Sequence, residues 1–235
     1  MRHVSTQTQK IAEDWKANPY YDRAEQEDWM DLFWGQDSHF RRLFEKLDTT
    51  VAVDLACGHG RHSARLLSIK TGRHRPKKLY LLDVNQENVE YCKARFAGNP
   101  GVQAFRNNGY DFAPLGDSAV SAIVCYDAMV HFEYDAVLSY IRDAFRILAP
   151  SGRALFHHSN LDSTPGGDYK QNPHWRNFMS KNLFAHAANR AGFKVLEQVT
   201  LNWDSTRKLD CLSFLEKPSA STEPSTLTPD LTSSA

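Results

Sequence analysis

Val51-Ala-Val-Asp-Leu-Ala-Cys-Gly-His-Gly-Arg-His-Ser63 decides the fold. Val51 to Leu55 is a short apolar run that reads as a buried strand. Gly58 and Gly60 follow, where a backbone free of Cβ can turn sharply and come close to a ligand. A helix then opens, and the unpaired N–H groups of its first turn face whatever lies at the turn. Twenty-three residues past Gly60, a second apolar run, Leu79-Tyr-Leu-Leu82, ends in Asp83. A carboxylate at the tip of the neighbouring strand can accept hydrogen bonds from the hydroxyls of a ribose. The pattern predicts a nucleoside-containing cofactor held across two strand tips.

Outward from this stretch, strands and helices alternate. Helices are expected near 60–70 and 85–97, the second with Asn85 as its cap. A strand follows over Val102 to Arg106, then the turn-rich loop Asn107 to Asp117 and a strand over Ala119 to Tyr126. Tyr134 to Leu148 keeps helical spacing through Val137, Leu138, Ile141, Phe145 and Leu148. A strand over Arg153 to Ser159 follows Pro150-Ser-Gly152. Such alternation implies a mostly parallel sheet covered on both faces, with ligands at the carboxyl ends of its strands. After residue 160 the pattern changes. A helix is expected over about 175–191, then two strands, Phe193 to Leu201 and Leu209 to Lys217. One of these must run antiparallel to the rest.

Residues 1–48 carry no strand signal and many aromatics, among them Trp15, Tyr20, Tyr21, Trp29, Phe33, Trp34, Phe40 and Phe44. They are read as a helical cap, with Ser38 capping a helix that ends near Leu47. Its aromatics are expected to cover one edge of the sheet, with a lid over the cofactor or substrate as the alternative role, and Trp34-Gly35 is the part expected to reach the site. Residues 49–217 form the α/β domain. Residues 218–235, rich in Ser, Thr and Pro, are expected to be disordered.

Lys plus Arg and Asp plus Glu number 28 each, so the broad basic field of a nucleic-acid binder is missing. Arg73 to Lys78 is read as a solvated loop. Cys57, Cys92, Cys125 and Cys211 lack paired metal-site spacing and suit free thiols in a reducing compartment. No run of about 18 apolar residues suggests a membrane span. A cytoplasmic location is expected. His59 and His62 are three apart, but no third ligand is evident and no metal is expected.

Together, Val53-Asp-Leu-Ala-Cys-Gly-His-Gly60, Leu81-Leu-Asp83, Ala122-Ile-Val-Cys-Tyr-Asp-Ala-Met-Val-His131 and Phe145-Arg-Ile-Leu-Ala-Pro-Ser-Gly152 resemble, in order, the motifs of the class I S-adenosylmethionine-dependent methyltransferases. The resemblance covers about 51–217. It implies a doubly wound, mostly parallel seven-stranded sheet closed by an antiparallel hairpin. It also implies S-adenosyl-L-methionine as cofactor and S-adenosyl-L-homocysteine as product. Carried over by position, Ala56, Cys57 and Gly58 would hold the methionine part and ribose, Asp83 the ribose diol, and Val84 the adenine face. Asp54 would reach the methionine ammonium, and Tyr126 would flank the sulfonium. Asn108 and Gly109 would meet the adenine edge, with Tyr110 or Asp111 as alternatives. Ala56 departs from the family pattern, which has glycine there; a slightly altered turn is expected.

The acceptor is read as a small molecule. Tyr126-Asp-Ala-Met129 lacks the Asn/Asp-Pro-Pro-Tyr motif of amino methylation. Phe156-His-His-Ser-Asn160 and Asn172-Pro-His-Trp-Arg-Asn-Phe-Met179 are similar to bacterial methyltransferases of saccharide or secondary-metabolite pathways. The expected reaction is O-methylation, with His131 or His158 as base. N-methylation of a small amine and a non-catalytic cofactor-binding scaffold are the alternatives, and a dehydrogenase fits the closing hairpin poorly. Arg176 is expected to be a salt-bridged surface residue or to face an anionic or sugar substrate.

Overall fold

The seven strands lie in one sheet of order β3-β2-β1-β4-β5-β7-β6. They are β1 (Val51–Leu55), β2 (Lys78–Asp83), β3 (Val102–Arg106), β4 (Val120–Cys125), β5 (Leu148–Ser159), β6 (Lys194–Trp203) and β7 (Thr206–Glu216). The structure is a computed structural model describing residues 6–16, 18–68 and 75–219. Most of the expected disordered tail, and the start of the Arg73 to Lys78 loop, lie outside the described residues. Strands β1 to β5 pair in parallel, while β7 runs antiparallel to both β5 and β6. The order reverses between β1 and β4, and that switch point opens a crevice at the strand tips.

The helices α1 (Thr6–Asp14), α2 (Tyr20–Ala24), α3 (Glu27–Trp34) and α4 (His39–Phe44) precede the sheet. Ser38 caps α4, its hydroxyl accepting from the Phe40 N–H at 3.2 Å. The remaining helices are α5 (Arg61–Ser68), α6 (Gln86–Arg95), α7 (Tyr134–Ile147) and α8 (Lys181–Ala191). Two apolar clusters divide between the sheet's faces. One joins β1, β4 and β5 to Val137, Tyr140, Ile141 and Ala144 of α7 and to Phe184 and Ala188 of α8. The other joins the sheet to Phe33, Phe40, Leu43 and Phe44 of the leader, Leu66 of α5, and Val89 and Cys92 of α6.

Two local expectations are corrected. Helix α8 begins at Lys181, not near 175. Ser180 caps it by accepting from the Leu183 N–H at 3.2 Å. The residues before it are held by the buried Arg176 side chain, which bonds Asp210 and cannot do so from a helix surface. Asn85 stands at the N-cap of α6, but its amide donates to the Ala12 carbonyl at 3.0 Å and makes no cap bond.

Candidate functional site

The turn after β1 is built from left-handed backbone. Ala56 has φ 57°, Gly58 has φ 53° and Gly60 has φ 79°. The turn survives the alanine because Ala56 itself enters the region usually left to glycine, at a cost of about 1–2 kcal/mol. At Gly58 a Cβ would lie 2.6 Å from Tyr21 Cε1, so glycine is required by contact as well as by φ. Asp83 braces the turn from the tip of β2. Its Oδ2 accepts from the Gly58 N–H at 2.9 Å, and its Oδ1 accepts from the Asn85 N–H at 2.9 Å and from Asn88 Nδ2 at 3.1 Å. A carboxylate has about four acceptor positions. Three are filled, which leaves room for one hydroxyl, not for both hydroxyls of a ribose. Burial raises the Asp83 pKa against the pull of these bonds.

A partly open cleft lies over these tips. Ala56, Cys57, Gly58, Asp83, Val84, Gly109, Tyr126 and His131 all line it. Three expected residues do not. Asp54 turns beneath α5, where its Oδ2 accepts from Ser63 Oγ at 2.6 Å; burial pushes its carboxyl up to about 6, the Ser63 bond opposing. Asn108 is exposed, and its Oδ1 is spent on the N–H groups of Tyr110 and Asp111 in a local turn. Its neighbour Asn107 lines the cleft instead and donates to Tyr140 Oη at 2.8 Å. His158 is wholly buried against Phe184, their rings 3.9 Å apart. Both its nitrogens are engaged, with the Ser159 carbonyl and Ser213 Oγ at 2.8 Å each.

Of the two expected bases, His131 is the one that reaches the cleft. Its Nδ1 lies 2.8 Å from the Trp175 carbonyl, which can only accept, so Nδ1 carries the proton. Burial, aided by the Arg176 charge, lowers its pKa to about 4. The ring is neutral near pH 7, and Nε2 keeps a lone pair. Trp15 packs on it with centroids 4.7 Å apart.

Several cleft residues were given no individual role by the sequence reading. Trp15, Tyr20 and Tyr21 line it, whereas Trp34 lies in the core and donates to His62 Nδ1 at 3.1 Å. Trp34-Gly35 therefore does not reach the site as expected. Asp127 and Arg61 form a buried pair at 2.7 Å, and Tyr20 Oη donates to the same carboxylate at 2.7 Å. A polar residue directly after an apolar strand, and a tyrosine doublet after Asn18-Pro19, were the available signals. Arg176 is salt-bridged as expected but is buried, only 2% exposed.

The motif order, the strand order and the cleft agree with a known family. Residues 52–152 match the family model described as a methyltransferase domain. These residues make up a methyltransferase domain, set in a seven-stranded α/β sheet. A SAM-dependent methyltransferase from Aquifex aeolicus is similar over 89% of this chain and 98% of its own, with TM-score 0.61 and 16% identity. Geranyl diphosphate C-methyltransferase from Streptomyces coelicolor A3(2), solved with Mg2+, geranyl diphosphate and S-adenosyl-L-homocysteine, is similar over 91% and 98%, with TM-score 0.64 and 14% identity. The [4+2]-cyclase SpnF is similar over 77% and 80%, with TM-score 0.62 and 14% identity. At such identities these likenesses show the fold, not the acceptor. No curated protein matches the chain. The braced glycine turn, the Asp83 acceptor and the lining of the cleft fit the adenosyl cofactor. Among the described residues no helix is long and apolar enough to cross a membrane.

Proposed function

We propose that the methyltransferase domain transfers a methyl group to a hydroxyl of a small molecule, with His131 as the base. The observation that carries this is the free Nε2 of a neutral imidazole in the cleft wall, oriented by the Trp175 carbonyl. The bound cofactor supplies a methyl already activated on a sulfonium. What remains for the protein is to hold it, align the acceptor oxygen and remove the acceptor's proton. Ala56, Cys57 and Gly58 are suited to hold the methionine part, with Asp83 on one ribose hydroxyl and Val84 on the adenine. Gly109, with Asn107 in place of Asn108, borders the adenine edge, and Tyr126 borders the sulfonium. Asp54 acts only at a distance, by its charge on the cofactor ammonium. His158 is not retained as a base. The even charge balance favours a small acceptor over nucleic acid.

Glu133 favours a second reading. It lines the same wall, and its Oε1 accepts from Asn177 Nδ2 at 2.9 Å. A carboxylate so held would suit an ammonium, hence N-methylation of a small amine. Two measurements test the proposal: calorimetry with S-adenosyl-L-homocysteine, and methyl transfer to a panel of hydroxyl and amine acceptors. His131→Ala should cut turnover on a hydroxyl acceptor about 10²–10⁴-fold. The affinity for S-adenosyl-L-homocysteine should stay within about threefold. Undiminished turnover in that variant would refute His131 as base. A native chain that binds no S-adenosyl-L-homocysteine would refute both methyltransferase readings.

A further inference from the structure

A run of polar contacts connects the terminal hairpin to the cleft. Arg176 and Asp210 are both buried and meet through two bonds, Nε to Oδ1 at 2.8 Å and Nη2 to Oδ2 at 2.6 Å. His157 Nε2 lies 3.1 Å from the same Oδ2. The other ring nitrogen, Nδ1, accepts from the backbone N–H of Asp127 at 3.1 Å. A backbone N–H only donates, so Nδ1 has no proton; Nε2 carries it and donates to Asp210. The ring is neutral and held in one tautomer.

Asp127 needs such a partner. Its φ is 53°, a left-handed conformation that favours glycine. This conformation points its N–H inward to His157. Its carboxylate accepts from Tyr20 Oη and Arg61 Nη2, at 2.7 Å each. Arg61 Nη1 also donates to the Ala24 carbonyl at 3.0 Å, gripping the end of α2. Tyr20, Ala24, Arg61, Tyr126, Asp127 and Ala128 line the cleft; His157, Asp210 and Arg176 do not. The Asp210 carboxylate is already matched by the planar fork of Arg176. The bond from His157 is therefore surplus for Asp210. What His157 alone supplies is the acceptor for Asp127.

We propose that His157, held by Asp210 and Arg176, is a positioning residue for methyl transfer. It fixes the left-handed turn at Asp127, and through it the cleft wall at the tip of β4 and the grip of α2 on that wall. The proposal rests on the cleft being the cofactor site.

Two near-isosteres separate the two ring nitrogens. His157→Asn places an amide oxygen near the position of Nδ1, so it keeps the acceptor for Asp127 and loses Asp210. His157→Gln places an amide nitrogen near Nε2, so it keeps Asp210 and loses the acceptor. Calorimetry with S-adenosyl-L-homocysteine should find the asparagine variant within about threefold of the native affinity, and the glutamine variant about tenfold weaker, as one lost hydrogen bond gives. A residue that merely satisfied Asp210 would give the reverse order. The reverse order, or equal losses, overturns the proposal. A second measurement uses the unmodified chain: ¹⁵N NMR of the His157 ring should show a neutral imidazole protonated at Nε2 at pH 7. A proton on Nδ1, or a charged ring, overturns the proposal even if both variants fail to fold. Failure of the native chain to bind S-adenosyl-L-homocysteine would instead overturn the cofactor reading, and the tautomer would still decide the relay.

Discussion

Replacing Asp54 by asparagine should stabilise the protein, and only above about pH 5. Asp54 is wholly enclosed beneath α5, and its carboxylate has one short bond, from Ser63 Oγ. Burial pushes its carboxyl up to about 6 from the ordinary 3.8, with the Ser63 bond and then the Arg61 charge pulling the other way. The sign follows from which state holds the proton. Between about pH 4 and pH 6 the unfolded chain has lost it and the folded chain keeps it, so stability falls as pH rises. Below that window nothing is lost, and above it the whole penalty applies. A difference of about two units is worth about 3 kcal/mol. Asparagine keeps an oxygen for the Ser63 hydroxyl and brings no charge, though its amide hydrogens need an acceptor, a cost of about 1 kcal/mol. Urea melts of both proteins at pH 4, 5, 6 and 7.5 give the test. The variant should be about 1 kcal/mol below the native protein at pH 4 and ahead by about 2 kcal/mol at pH 7.5. A difference that does not change with pH would refute the reasoning.

Ala56→Gly should raise stability by about 0.5–1 kcal/mol in urea melts, because relief of the left-handed alanine exceeds the added freedom of the unfolded glycine. A loss of stability would mean that the turn is not left-handed at residue 56. Asp83→Asn keeps one acceptor oxygen for donors that approach from two sides, so it orphans either the Gly58 N–H or the Asn85 N–H. We expect a loss of about 2 kcal/mol and at least tenfold weaker binding of S-adenosyl-L-homocysteine by calorimetry; unchanged binding would show that Asp83 does not brace the cofactor turn.

The strands were legible because they are short, apolar and flanked by turn residues: β3 begins and ends where the sequence puts it, and β1 and β4 differ by a residue at most. The glycine turn and Asp83 were legible because the chemistry of a nucleotide site forces residue types at fixed spacing. What was not legible depends on contacts distant in sequence. Asn107 and Asn108 are identical side chains in one loop, and only the bonds to Tyr140 or to Tyr110 and Asp111 separate the cleft residue from the turn former. His157 and His158 alternate across a strand, so one was bound to face away from the other. Neither faces the cleft, because the wall there is built by the residues after β4. Arg176 looked like a surface arginine because its carboxylate partner lies 34 residues later, on β7.

The leader had two competing roles in the sequence, cover and lid, and burial divides them between its halves. Phe33, Phe40, Leu43, Phe44 and Leu47 are at most 3% exposed and belong to the core on one face of the sheet. Detaching the segment from α3 to Leu47 from the sheet would expose these five side chains, each worth about 1.5–3 kcal/mol. In α1 and α2 the buried apolar residues are Ile11 and Ala24 alone. Those helices are held instead by polar contacts at their cleft side: Tyr20 to Asp127, Arg61 to the Ala24 carbonyl, Asn85 to the Ala12 carbonyl, and Arg95 to Glu25 just beyond α2. The Arg95–Glu25 pair is partly exposed, and such pairs contribute little. Asp127 is the buried anchor of α2, while α1 is tied through Asp14 to Tyr169 and Lys170. The first two helices therefore add little to the core, and the carboxylate that anchors α2 belongs to the residue that His157 positions.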